Sequence, residues 1–146
     1  TTIYFSHYLL EALRHVGAME PFFERLAFWK GLPALGFKTT LESPEPSRSD
    51  CHAWGAHPIY HAYASILGAR PAEPGFRTIR IAPQPGPLTE LSGSFPYAGG
   101  GMIGFDLHFD EARVEGEIVL PERLEGTFFW RGSERALHSG SNSLGQ

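Results

Sequence analysis

At 146 residues with 42% apolar side chains, the chain holds about one domain's worth of core and too little for two large ones. Charged residues make up 19%, and 17 Gly with 12 Pro approach a fifth of the chain, the composition of a folded, turn-rich protein and not of a disordered tail. Twelve Lys and Arg against sixteen Asp and Glu give a net charge of −4 with no basic run, which excludes the footprint of a nucleic-acid binder, and no stretch of ~20 apolar residues is present to span a membrane.

Thr1 in place of Met, with no secretory pattern behind it, reads as a processed or cut start. From there Phe5, Leu9, Ala12 or Leu13, and Val16 recur at helical spacing before Gly17, predicting a first helix from about Ile3 to Val16. A second is expected after Pro21, with Phe22, Leu26 and Trp29 on one face and a stop between Gly31 and Gly36. Both carry aromatics around much of their circumference, so both expect neighbours on more than one side, as one hairpin of a larger helical array has. Residues 39–55 are broken by Pro44 and Pro46 and read as a loop. A third helix is expected from Pro58 to Leu67, stopped by Gly68.

The composition changes near Gly68. Residues 1–68 hold 5 of the 17 Gly and 5 of the 7 His, and the rest of the chain holds 12 Gly and 2 His. Beyond the Pro-rich link, alternating segments follow at 78–82, 90–97, 102–109, 113–120 and 126–130, each bounded by Gly, Pro or an acidic turn. That spacing predicts a small antiparallel β-sandwich of six to eight strands. The expected class is therefore α+β, with about three helices in residues 1–68 and the sandwich in residues 69–146.

Reactive groups concentrate between Glu42 and His57: Glu42, Glu45, Arg48, Asp50, Cys51, His52 and Trp54. Carboxylates beside Trp and His suit sugar chemistry, since carboxylates move protons, Trp stacks on a pyranose face, and Arg, Asp and His bind hydroxyls. The same composition also fits a solvated turn-forming loop. A metal trio of His52, His57 and His61 has the i, i+4 spacing of zinc ligands at its last two members but no Glu between them to serve as base, so packed histidines are the expectation and no metal or cofactor is assigned. Cys51 beside His52 does not make a dyad, because chain neighbours rarely aim at each other; a buried, inert thiol is expected. As the single cysteine it forms no internal disulfide, which leaves a cytoplasmic or a secreted location equally open. Gly99-Gly100-Gly101 lies between two strand-like segments and reads as a hairpin turn, not a phosphate cradle.

The string from Thr39 to Gly86, with its Arg48-Ser49-Asp50-Cys51-His52-Ala53-Trp54 run and His57-Pro58, closely resembles the end of the catalytic domain and the start of the C-terminal β-domain of bacterial α-L-rhamnosidases. Upstream YFSHYLLEAL and downstream VEGEIVLPERLEGTFFWRG fit as well, so the resemblance covers nearly the whole chain. It implies an (α/α)6 toroid followed by a β-sandwich, and inverting hydrolysis of terminal α-L-rhamnose from glycosides. In that family the general base is a Glu in a segment like Thr39-Thr40-Leu41-Glu42, which makes Glu42 the candidate base. His52 matches a pocket His of the family, Trp54 is a pocket-wall candidate, and Asp50 binds sugar or pairs with Arg48. The family's acidic Asp-x-x-x-Gly-x-x-Glu-Arg motif, which holds the general acid, is missing from these 146 residues. The expectation is a C-terminal portion with half of the site, weakly active or inactive alone, with a carbohydrate-binding or scaffolding module as the alternative. Helices made to pack between neighbours leave aromatic faces uncovered, which predicts a homo-oligomer joined through the helical half.

Overall fold

The computed structural model describes residues 1–145. The chain divides into two compact units, Thr1–Ile66 and Leu67–Gln146.

The first unit opens with α1 (Ile3–His15), capped by Thr2, whose Oγ1 accepts the Phe5 N–H at 3.1 Å. Arg14 and His15 sit in its last turn, where the helix dipole favours cations, and Gly17 ends it at φ 73°. Its buried stripe is Ile3, Ser6 and Leu10. Helix α2 (Met19–Gly31) starts two residues before Pro21, so the proline lies in the first turn, where its missing N–H costs no helical bond. Phe22 is its fully buried residue. A 3-10 turn over Pro33–Leu35 then packs Leu32 against Ile3 and Leu41, with Phe28, Trp29 and Phe37 around them.

The third helix is shorter than its periodicity predicts. Helix α3 covers only His57–His61, preceded by a 3-10 turn at Ala53–Ala56 and followed by a π turn at Ala62–Ile66. The four consecutive residues Ala64, Ser65, Ile66 and Leu67 are all buried, a run that no single face of a 3.6-residue helix supplies.

The second unit has eight strands in two sheets. One sheet runs β1 (Ala69–Pro71), β2 (Thr78–Ile81), β6 (Glu125–Trp130), β7 (Ser133–Leu137); the other runs β3 (Glu90–Pro96), β4 (Met102–Phe109), β5 (Val114–Leu120), β8 (Gly140–Leu144). Alternating residues such as Ile103, Leu107 and Phe109 on β4, and Ile118 and Leu120 on β5, are buried together with Ile79, Ile81, Leu124, Phe128 and Leu137. This is the period-two pattern of a sandwich core. The α+β class therefore holds, with one correction to the all-antiparallel expectation: β2 and β6 pair in parallel, Ile79 opposite Gly126. Three strands of the other sheet intervene between them, so β6 arrives by a crossover and not by a hairpin. Gly99–Gly101 form the β3–β4 turn, with the Gly100 N–H on the Tyr97 carbonyl at 3.0 Å.

Among the described residues, no helix is long and apolar enough to cross a membrane.

Candidate functional site

The loop after α2 is stitched to itself by its backbone. The Glu42 N–H donates to the Ser49 carbonyl at 2.9 Å, the His52 N–H to the Thr40 carbonyl at 2.8 Å, and Thr40 Oγ1 to the His52 carbonyl at 2.9 Å. Gly55 lies so close to this strap that a Cβ there would stand 2.6 Å from the Leu41 carbonyl oxygen, and its own carbonyl accepts Trp29 Nε1–H at 2.7 Å. The polar loop is thus a fixed platform on the helices.

On it, Glu42 is largely covered: its side chain is 9% exposed against 85% for Arg48, which grips both carboxylate oxygens with Nε and an Nη. That pairing differs from the expected Arg48–Asp50 contact. The loop folds Arg48 back towards Glu42, six residues earlier, while Asp50 stays exposed and contributes its carbonyl oxygen to Thr39 Oγ1. The guanidinium is held above its usual pKa by the Glu42 hydrogen bonds. Trp54 Nε1 donates to the Glu42 carbonyl at 3.3 Å, and the His52 ring lies 4.1 Å from the Trp54 ring, tilted by 46°. Cys51 is exposed, not buried: the Ser49 hydroxyl holds its backbone on both sides at the loop's outer bend.

Glu42, Ser43, Arg48 and Trp54 join Thr2 and Tyr4 around an open cleft of about 440 Å³. Tyr4 stands edge-on to Trp54 with ring centroids 5.5 Å apart. The structure therefore brings Glu42 and Trp54 to one cleft, with His52 behind Trp54; Asp50 is not among its walls. Tyr4 is the wall that sequence reasoning missed. The available signal was the exposed Tyr4-Tyr8 pair at i, i+4 on α1, whose hydroxyls lie 3.3 Å apart.

On its other side, the same Tyr4 and Trp54 bound a second cleft of about 410 Å³ that also includes His7, Tyr8 and His57. Here His7, His57 and His61 come together, each with a ring nitrogen within 4.8 Å of the others. His52, the third member of the trio considered from spacing, is elsewhere, against Trp54; His7 takes that place from α1. Burial pushes His57 below the usual His range, the Ile3 carbonyl opposes this by accepting from Nε2 at 3.1 Å, and His7 and Arg25 add to the depression. Its Nδ1 is buried without a hydrogen-bond partner. A buried unsatisfied polar atom costs about 1–3 kcal/mol, so this one needs a reason.

No family model and no curated protein matches the sequence. Solved structures do match. The chain is similar to the GH78-family rhamnosidase of Bacillus sp. GL1, at 29% identity and a TM-score of 0.79 over 88% of this chain and 15% of that one. It is also similar to the α-L-rhamnosidase of Aspergillus terreus (22% identity, TM-score 0.67, over 79% and 15% of the two chains). A third match is the Streptomyces avermitilis α-L-rhamnosidase solved with L-rhamnose (19% identity, TM-score 0.62, over 77% and 14%). The last two, below a quarter identity, speak for the fold alone. The family resemblance carried by the loop residues thus meets a structural similarity to the same enzymes, of whose length the chain spans about 15%.

Proposed function

We propose that the chain is the closing portion of an α-L-rhamnosidase-type glycoside hydrolase, residues 1–68 completing an (α/α)6 toroid and residues 69–146 forming the β-sandwich domain after it. Inverting hydrolysis needs a carboxylic acid to protonate the leaving oxygen and a carboxylate ~6.5–9.5 Å away to deprotonate the attacking water. One observation carries the reading. Glu42 is the single carboxylate on the walls of its cleft among the described residues, and it sits there beside Trp54 and Tyr4. Glu42 is the general base, taking the proton of the water that attacks the anomeric carbon. Trp54 offers its face to the apolar side of the sugar ring with His52 packed on it, while Asp50, off the cleft's walls, reaches a hydroxyl only of a glycoside that extends beyond this cleft. Arg48, mostly in solvent, covers the Glu42 carboxylate through both oxygens, and a glycoside that enters the cleft displaces it and takes over its contacts. The acid comes from residues outside these 146, and the chain alone turns over little or nothing.

The test is a chimera in which this chain replaces the matched segment of the Bacillus rhamnosidase, assayed with p-nitrophenyl α-L-rhamnoside. Turnover is expected from the chimera and not from the isolated chain. Glu42→Gln in the chimera should lower kcat by about 10²–10⁴-fold with little change in KM, as loss of a general base does. Turnover by the isolated chain that Glu42→Gln abolishes refutes the half-site.

A second reading, a carbohydrate-binding module, has its own observation. The β unit carries an open cleft of about 520 Å³ whose walls include Phe128, Trp130, Arg113, Glu134 and Arg135, an aromatic floor with charged groups around it. Calorimetry separates the two readings: rhamnoside binding lost on Trp130→Ala and kept on Trp54→Ala favours the module. Rhamnose-containing glycosides are the proposed ligands under either reading, and the proposed assembly is a homo-oligomer formed through the helical unit.

A further inference from the structure

We infer that His7, His57 and His61 form a binding site for a divalent transition-metal ion of the zinc class, clasping α1 to α3. The three imidazoles come from two helices: His57 and His61 stand one turn apart on α3, and His7 lies in the middle of α1. Their nearest nitrogens are already at ligand spacing. A tetrahedral ion held at about 2.0–2.1 Å keeps its ligand nitrogens about 3.3 Å apart, and His7 Nδ1 lies 3.2 Å from His61 Nε2. The whole set falls within 4.8 Å, so the two pairs that involve His57 need to close by about 1.5 Å at most, a shift that turning the half-buried His57 ring towards the other two supplies.

The outward-facing nitrogens are arranged as in histidines that hold metals. A ligating imidazole characteristically donates its other N–H to a carbonyl, carboxylate or hydroxyl, which fixes the ring and its tautomer. His57 Nε2 has the Ile3 carbonyl at 3.1 Å, and His61 Nδ1 has the Ser65 hydroxyl at 2.9 Å with a Glu11 carboxylate oxygen at 3.9 Å. With Nε2–H committed to Ile3, the His57 lone pair is on Nδ1, the buried atom that no protein group satisfies. Packing explains why the rings are together, since His57 lies edge-on to Trp29 at 4.9 Å and His61 edge-on to Phe22 at 5.8 Å. It does not explain a buried lone pair that no protein group satisfies, on a ring clustered with two other imidazoles. A metal ion does: it accepts that lone pair and takes the place of the single proton that the His7–His61 contact requires. Imidazole ligands select zinc, nickel, cobalt or copper over magnesium or calcium. Three nitrogens leave a fourth position, and His7 and His57 also line the cleft beside Tyr4 and Tyr8, so water can complete the shell.

The experiment titrates the 146-residue chain, free of any His tag, with ZnCl2 by calorimetry. Metal content after dialysis and the visible spectrum of the Co²⁺ form are read on the same protein. One equivalent of Zn²⁺, a four-coordinate Co²⁺ spectrum and a raised melting temperature are expected. His7→Ala, at a half-buried position, should lose at least the roughly 10–100-fold in affinity that removing an outer partner costs, and His52→Ala should lose none. His57→Ala should behave as His7→Ala; if it fails to fold, His7→Ala decides. Failure of the wild-type chain to take up Zn²⁺, Co²⁺ and Ni²⁺, or equal affinity in wild type and His7→Ala, overturns the site. None of these readouts involves Glu42 or turnover, so the inference stands or falls apart from the glycosidase reading.

Discussion

At Asp110, between β4 and β5, Oδ1 accepts the N–H groups of Ala112 and Arg113 at 2.8 and 2.6 Å and closes the turn. These bonds favour the carboxylate and hold its pKa below the ordinary value, the Ala112 bond contributing most. A depressed carboxyl stabilises the fold fully above its unfolded pKa, about 3.9, and loses that contribution as pH falls through the lower folded value. Asp110→Ala is therefore expected to lower the melting temperature at pH 7, and the gap from wild type should narrow as a melting series is carried below pH ~3.9. A turn at Asp110-Glu111 was legible in sequence because an Asp at the start of a turn bonds its own backbone locally. The pairing of Arg48 was not. Asp50 and Glu42 are both within its reach along the chain, and only the backbone bonds from Glu42 to Ser49 and from His52 to Thr40 decide which carboxylate it meets.

Among the elements, the strands with strong alternation were legible to within a residue at each end. The segment 102–109 is β4 in full, and the segments at 78–82, 90–97, 113–120 and 126–130 become β2, β3, β5 and β6. Strands β1, β7 and β8 were not read, since Ala-Arg-Pro, Ser-Glu-Arg-Ala-Leu and Gly-Ser-Asn-Ser-Leu show too few apolar positions to establish a period. Gly116 shows what an element can demand of one residue. It sits in β5 opposite Leu107 with φ 128°, and a Cβ there would stand 1.9 Å from the Asp106 carbonyl oxygen. Gly116→Ala is expected to cost about 1–3 kcal/mol in backbone strain alone, more if the ladder must separate, and to appear as a lower urea midpoint at unchanged m. An unchanged midpoint would contradict this account of the strand.

For the whole chain, the helical unit leaves Tyr4, Phe5 and Tyr8 exposed at 45%, 58% and 52%, an aromatic patch on one side of α1. Large contiguous apolar surfaces of this kind mark contact sites. Sedimentation equilibrium of the 146-residue chain is expected to show a reversible dimer, and Phe5→Glu should shift it to monomer. A wild-type chain that stays monomeric at high concentration would show that the patch does not join copies of this chain. The chain spans only about 15% of the rhamnosidases it resembles, and α1 carries aromatics on its exposed side as well as a buried stripe. Both facts suit a helix that evolved with neighbours on two sides.

The sequence by itself determined the α+β order, two of the three helices, the strongest strands and the loop that holds Glu42, His52 and Trp54. Each of these is written in spacings of two to four residues or in a contiguous motif. Only the tertiary structure decided that β6 lies parallel to β2, that Tyr4 packs edge-on against Trp54 at the Glu42 cleft, and that His7, not His52, completes a cluster with His57 and His61. Those relations join residues about fifty apart along the chain, where no local period operates. The packing of one element on another selects them.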